Sequence, residues 1–273
     1  GSRFATASLD GMVRVWALES GELQWQREGH TGVQDVVFIP GDGLAVLWLD
    51  GAVDVRALTD GEPLRRLREP SGMVHPELAV SPDGSTVAMA SMSGEVALLD
   101  ARDGTSLGAL TSTAGWVQSV AFDSSGGRLA AGARNGTIEV FDVAARRSEG
   151  QLQGHDDAVY GVRFGADGHR LASASVDTAI RLWDSTALAA NPDPIGHAGV
   201  AWAVEFDRDG GQLLSAGKDG AVRAWDSATG EQLAVYGGSE GLFQDVSGTP
   251  DGELVIAGSR DRTVWIWDRA TGA

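Results

Sequence analysis

HRLASASVDTAIRLWD, residues 169–184, reads as two short strands around a tight turn. Small and apolar residues run through LASAS at 171–175, and Ile180 and Leu182 alternate with Arg181 and Trp183 in the second half. Alternation at period two over four to six residues, bounded by turn residues, is the signature of a strand. The turn and second strand recur along the chain. DGMVRVWA begins at Asp10, DGAVDVRA at Asp50, SGEVALLD at Ser93, NGTIEVFD at Asn135, DTAIRLWD at Asp177, DGAVRAWD at Asp219 and DRTVWIWD at Asp261. The intervals are 40, 43, 42, 42, 42 and 42 residues.

Each repeat holds four such runs. VYGVRF at 159–164 leads through GADG into LASAS, the AIRLWD strand follows, and a fourth run such as EQLAVY at 231–236 completes the unit. Asp-Gly and Asn-Gly favour hairpin turns that need positive φ. Four-stranded units repeating every ~40–45 residues are propeller blades, each of which buries its faces against its neighbours. The expectation is an all-β, seven-bladed β-propeller of four-stranded antiparallel blades.

Composition narrows the function classes. The chain of 273 residues is 42% hydrophobic and 22% charged, an ordinary globular mix. A net charge of −17 argues against a protein that tracks nucleic-acid phosphates. With no cysteine there is no disulfide, thiolate metal site or cysteine nucleophile. No apolar run approaches the ~18 residues that span a bilayer. P-loop, dinucleotide and His-Glu zinc motifs are missing, so no cofactor is expected. The expected partner is a protein or peptide, with neither nucleic acid nor membrane insertion, and the expected compartment is the cytoplasm.

Over nearly its full length the chain resembles the WD40-repeat family. The resemblance rests on the pairs Trp183-Asp184, Trp225-Asp226 and Trp267-Asp268, the variant Phe141-Asp142, and Gly29-His30, Gly154-His155 and Gly196-His197. It implies one propeller domain over residues 1–273 and a buried hydrogen-bonded tetrad in each blade. Two blades carry the tetrad whole, as His155, Ser173, Asp177, Trp183 and as His197, Ser215, Asp219, Trp225. Elsewhere it is broken. His30 faces Asp50, but the serine is lost and Arg56 replaces tryptophan; Ser71, Thr113 and Ser239 stand for histidine; Ser93 and Asn135 replace the turn aspartate. Blades 2 to 4 should therefore rely more on packing. Serine, histidine and aspartate are also the ingredients of a nucleophilic triad. A set repeated at equivalent buried places instead satisfies buried donors and acceptors, each worth about 1–3 kcal/mol if left unpaired. Trp16, Trp183, Trp225 and Trp267 are core by position, Trp265 packs between blades, and Trp25 and Trp48 are plain strand residues.

The resemblance also implies partner binding on a top face. Its residues flank the first strand of a blade or precede the turn aspartate. The first set comprises Trp116 and Gln118, Ala158 and Tyr160, Val200 and Trp202, and Leu242 and Gln244. The second comprises Leu9, Leu49, Met92, Arg134, Val176, Lys218 and Arg260. Trp116, Tyr160 and Trp202 with Arg134, Lys218 and Arg260 would make aromatic anchors beside a cationic cluster, suited to an acidic segment. Packing between blades is the competing role for Trp116 and Trp202. Asp35, Glu77 and Asp245 share one first-strand position. Carboxylates converging there would hold a divalent ion, as in a lactonase-type propeller hydrolase. The leading expectation is a non-enzymatic interaction scaffold or sensor module of a larger, bacterial signalling protein; the hydrolase is the alternative.

GSRFATASLDG at 1–11 aligns with GSTVAMASMSG at 84–94, so Gly1 matches the glycine closing the first-strand turn. WDRATGA at 267–273 matches WDSATGE at 225–231. Blade 1 is thus expected to lack its first, inner strand and blade 7 its outer one. Roughly 20 residues of one period are then expected outside the chain, most naturally upstream.

Overall fold

The computed structural model describes residues 2–71, 77–190, 195–237 and 241–273. Gly1 and Ser239, to which the sequence assigns a turn glycine and a tetrad substitute, lie outside them. The chain divides into two compact units, 1–120 and 121–273. Strands within a blade are lettered a to d in repeat register.

Unit one holds blades 1 to 3. Blade 1 has strands b, c and d at Arg3–Ala7, Met12–Ala17 and Leu23–Glu28. Blade 2 runs Val33–Phe38, Gly43–Trp48, Val53–Ala57 and Pro63–Arg68, and blade 3 runs Leu78–Val80, Thr86–Met89, Glu95–Asp100 and Ser106–Thr111. Strand a of blade 4, Val117–Phe122, contains the division between the units. Unit two continues that blade with Arg128–Ala133, Ile138–Asp142 and Arg147–Leu152. Blade 5 is Val159–Phe164, Arg170–Ser175, Ala179–Asp184 and a divided strand d, Ala189–Ala190 and Ile195–Gly196. Blade 6 is Ala201–Phe206, Gln212–Gly217, Val222–Asp226 and Gln232–Tyr236; blade 7 has Phe243–Gly248, Leu254–Ser259 and Val264–Asp268. Every sheet is antiparallel with its strands paired in sequence order. These are the blades of a seven-bladed β-propeller. Blades 1 and 7 have three strands, lacking strand a and strand d respectively, as the repeat register predicts.

The hairpins between strands b and c show why the sequence turns where it does. The second turn residue has positive φ in every blade: Gly11 84°, Gly51 84°, Gly94 88°, Gly136 85°, Thr178 76°, Gly220 73° and Arg262 74°. Five are glycine, which reaches this region without a Cβ penalty. Thr178 and Arg262 occupy it at a cost.

Apolar side chains of adjacent blades interleave within each unit. Val13 and Val15 of blade 1 pack with Val33, Leu44, Val46 and Trp48 of blade 2. In unit two, Leu214, Val222 and Ala224 of blade 6 pack with Phe243, Val246, Val255 and Trp267 of blade 7. Polar clasps join neighbouring blades as well. Arg128 donates from Nη1 to Ser185 Oγ at 3.0 Å, and Arg170 from Nη1 to Ser227 Oγ at 2.6 Å. At the next seam the polarity is exchanged, and Arg269 Nη2 donates to Gln212 Oε1 at 2.6 Å. Each of these seams keeps one guanidinium.

Three tryptophans sit in the core as expected: Trp183, Trp225 and Trp267 are all buried. Trp16 is only half-buried. It stacks on Phe4 at 6.0 Å and donates Nε1–H to Thr6 Oγ1 at 3.1 Å. Phe4 belongs to strand b, the edge of this three-stranded sheet, so Trp16 has less sheet to cover it.

Candidate protein-interaction surface

The two complete tetrads form in unit two. Trp183 Nε1 donates to Ser173 Oγ at 2.8 Å, Ser173 Oγ lies 2.7 Å from His155 Nε2, and His155 Nδ1 lies 2.8 Å from Asp177 Oδ2. Tryptophan is donor only and an ionised carboxylate acceptor only, so histidine donates from Nδ1 to aspartate, and the serine that accepts from tryptophan has its own proton to give to Nε2 of a neutral imidazole. Burial pushes the His155 pKa down, outweighing the pull of Asp177. Burial pushes Asp177 up, but the Ala179 and Asp156 N–H groups and His155 hold it below its usual value. The second tetrad repeats the geometry at 2.8 Å for each contact. Burial likewise raises Asp219, yet hydrogen bonds from Arg223, His197 and Ala198 N–H hold it at about 2. The serine oxygen of each set is buried and already engaged, which suits scaffolding rather than nucleophilic attack.

Blade 2 replaces the tetrad with another polar cluster instead of relying on packing alone. Trp48, fully buried, donates Nε1–H to Asp54 Oδ2 at 2.9 Å, and Arg66 Nε reaches Asp54 Oδ1 at 2.8 Å. A Cβ on Gly29 would lie 1.9 Å from the Trp48 ring. Counted back from the start of strand a at Val33 and Val159, Gly29 and not His30 falls level with His155, a shift from the Gly-His alignment of the sequence, so the indole fills the place of the tetrad histidine. His30 Nε2 lies 2.8 Å from Asp50 Oδ2, as the sequence implies. In blade 4, Asn135 takes over the turn-aspartate role by accepting the Thr137 N–H at 3.0 Å.

A bulge organises the start of strand a. The ladder between strands a and b shifts register at Val33/Asp35, Val159/Gly161, Ala201/Ala203 and Phe243/Asp245. The residues left out of the ladder are Gln34, Tyr160, Trp202 and Gln244. A bulge re-aims the side chain that it ejects. In unit two, Tyr160 and Trp202 meet with ring centroids 4.8 Å apart at 44°. Both are half-buried, Gln244 is exposed, and Trp202 Nε1 is buried without a hydrogen-bond partner.

Backbone bonds bring the residues before the turn to the same end. Val176 N–H donates to Ala158 carbonyl at 3.0 Å, Lys218 to Val200 at 2.8 Å and Arg260 to Leu242 at 2.9 Å. Lys218 and Arg260 are exposed beside Trp202 and Gln244 in this register, and Arg134, just past strand b of blade 4, is exposed as well. Unit one carries a different set. Leu9 is 71% and Met92 46% exposed, Leu49 is half-buried, and the half-buried Trp116 and Gln118 lie at the start of blade 4. Gln34, which also belongs to this series, carries no motif to single it out. A bulge depends on long-range pairing, so only the repeat register pointed to its place.

Asp35 and Glu77 have structural partners. Asp35 Oδ2 accepts the Leu78 N–H of the next blade at 2.7 Å, and Oδ1 accepts the Val36 N–H. Glu77 Oε2 accepts from Ser119 Oγ and, at 3.3 Å, from the Val120 N–H. N–H and O–H donors thus bind both Asp35 oxygens and Glu77 Oε2. Among the described residues no group of three or more histidines and carboxylates is placed to hold a metal ion.

The family model for the WD domain, G-beta repeat, matches residues 104–142, 146–184, 192–226 and 230–268, more than half of the chain. The chain belongs to the WD40-repeat family. None of the curated proteins matches it. WD40 propellers are typical protein-interaction scaffolds, and the described residues include no helix long and apolar enough to cross a membrane. The four matched WD40 repeats cover blades 4 to 7, where Trp-Asp or Phe-Asp ends strand c. The repeats of blades 1 to 3 depart further from the pattern, and blade 2 does so through Trp48 and Arg56.

Proposed function

We propose that the chain is a non-enzymatic scaffold or sensor module, part of a larger signalling protein, that docks a protein or peptide partner at the bulged end of its blades. The observation that carries this reading is the Tyr160–Trp202 pair, ejected from two adjacent ladders, with exposed Lys218 level with Trp202 and exposed Arg260 at the same register in blade 7. Aromatic and cationic side chains dominate binding energy at protein interfaces. On a chain of net charge −17, exposed cations at one end favour an acidic segment and repel basic competitors. The hydrolase alternative draws no support from Asp35 and Glu77, whose carboxylates bind protein donors.

Selection of a displayed random-peptide library on the immobilised chain tests the reading. Enriched peptides should be acidic. They should lose at least roughly tenfold in affinity for Trp202→Ala or Tyr160→Ala, about 1.4 kcal/mol or more. Enriched peptides that bind a folded Trp202→Ala, Tyr160→Ala double variant as tightly as the parent would overturn it.

A further inference from the structure

Arg56 stands on strand c of blade 2 at the position that Trp183 and Trp225 hold in blades 5 and 6. It is only 8% exposed, and it lines a cavity of about 560 Å³ with Glu28, His30, Asp54, Arg65 and Arg66. A buried guanidinium normally finds a carboxylate, because an unpaired charge away from water is costly. Arg56 forms no ion pair among the described residues. Its Nη1 donates to the Gly61 carbonyl at 3.1 Å, while its Nε is buried without any acceptor. The guanidinium lies 5.2 Å from the Trp48 ring centre, so a π face supports it from one side.

The nearby carboxylate is committed elsewhere. Asp54 accepts from Trp48 Nε1 and from Arg66 Nε, and it attracts Arg56 through space without bonding to it. Of the three guanidiniums on the cavity wall, Arg65 pairs with Asp42 and Arg66 with Asp54 and Glu69, which leaves Arg56 as the one without an ion pair among the described residues. Burial also pushes the Arg56 pKa down, so the cation is under-solvated where it sits.

From this geometry we infer that the cavity beside Arg56 in blade 2 is a binding site for a small oxyanion, a carboxylate or a phosphate, received by the Arg56 guanidinium over Trp48. Arginine offers planar, paired donors to such groups. The anion would give the guanidinium a direct oxyanion contact, where Asp54 and Glu62 now act on it only through space. It comes either free from solution or as an acidic side chain of a docking protein.

The test is NMR of the arginine Nε–H groups on the whole chain at constant ionic strength, with Arg56→Lys used to assign the Arg56 signal. One arm adds inorganic phosphate and the other N-acetyl-aspartate amide, each against chloride. A saturable shift of the Arg56 Nε–H in either arm, with the other arginines drifting only linearly, supports the site. Response to phosphate alone identifies a free anion as the source, and response to the aspartate amide alone identifies a side-chain carboxylate. Arg56→Trp, which installs the residue used by blades 5 and 6, should abolish any rise in thermal midpoint produced by the responding anion. No saturable shift in either arm of the parent would overturn the inference. An equal rise in the midpoint of Arg56→Trp would overturn it too.

Discussion

Replacing Ser173 by alanine should cost far more than deletion of one hydroxyl suggests. Ser173 Oγ accepts from Trp183 Nε1 at 2.8 Å and faces His155 Nε2 at 2.7 Å, and all three residues are buried. Alanine removes the acceptor of a buried donor and the donor of a buried acceptor in one step. Each unsatisfied group costs about 1–3 kcal/mol, so the loss should be about 2–6 kcal/mol. Urea unfolding followed by tryptophan fluorescence measures it, with Ser215→Ala in the second tetrad as a repeat of the experiment. The pH dependence provides a second reading. Burial lowers the folded-state pKa of His155 and His197 below the ordinary 6.5. The unfolded chain then binds more protons, so this stability is present above pH 6.5 and drains away as pH falls through the folded values. Asp219, held at about 2 against 3.8, extends the acid loss below pH 4. A cost under about 1 kcal/mol for both serine variants would refute the argument that the tetrads satisfy buried polar groups. So would a parent protein that gains stability between pH 6.5 and 5 after the opposing effect of Glu205 is removed.

Thr178→Gly should stabilise the chain by about 0.5–1 kcal/mol. Relief of a non-glycine residue at φ 76° is worth about 1–2 kcal/mol, partly offset by the greater unfolded-state entropy of glycine; a lower urea midpoint would contradict this. Burial raises Glu205 to about 7, opposed by Arg163 and by hydrogen bonds from Ser247 and the Gly248 N–H, and aided by Asp245. Its raised folded-state pKa contributes stability below pH 4.5 that is lost as pH rises through about 7. Glu205→Gln should therefore flatten the profile between pH 4.5 and 8. At pH 8 it should stabilise by an amount on the order of 1–3 kcal/mol, and an unchanged profile would show that the carboxyl is hydrated.

Much of the fold is legible because its signals are local. Asp177 and Asp219 begin turns, Ile180 and Leu182 alternate with Arg181 and Trp183, and the 42-residue interval repeats these short-range patterns in phase. The tetrads are legible for the same reason, since each follows from residue types at fixed offsets within one repeat. Blade 2 is where this logic stops. Trp48 looks like an unremarked strand residue, yet its ring fills space opened by a glycine nineteen positions earlier, at Gly29.

The sequence by itself determined the strands, the hairpins, the number of blades and the three-stranded form of the first and last. Hydrophobic alternation and turn chemistry act over a few residues, and repetition multiplies them. Only the tertiary structure decided which side chains leave the ladder and which charges stay unpaired. Tyr160 and Trp202 are presented because strand a slips by one residue against strand b, a register set by pairing across the hairpin and by the neighbouring blade. Asp35 and Glu77 became clasps, and Arg56 became a buried cation, because their partners come from elements distant in sequence. Desolvation depends on what surrounds a group in space, and for these residues the surroundings are built from other strands and blades.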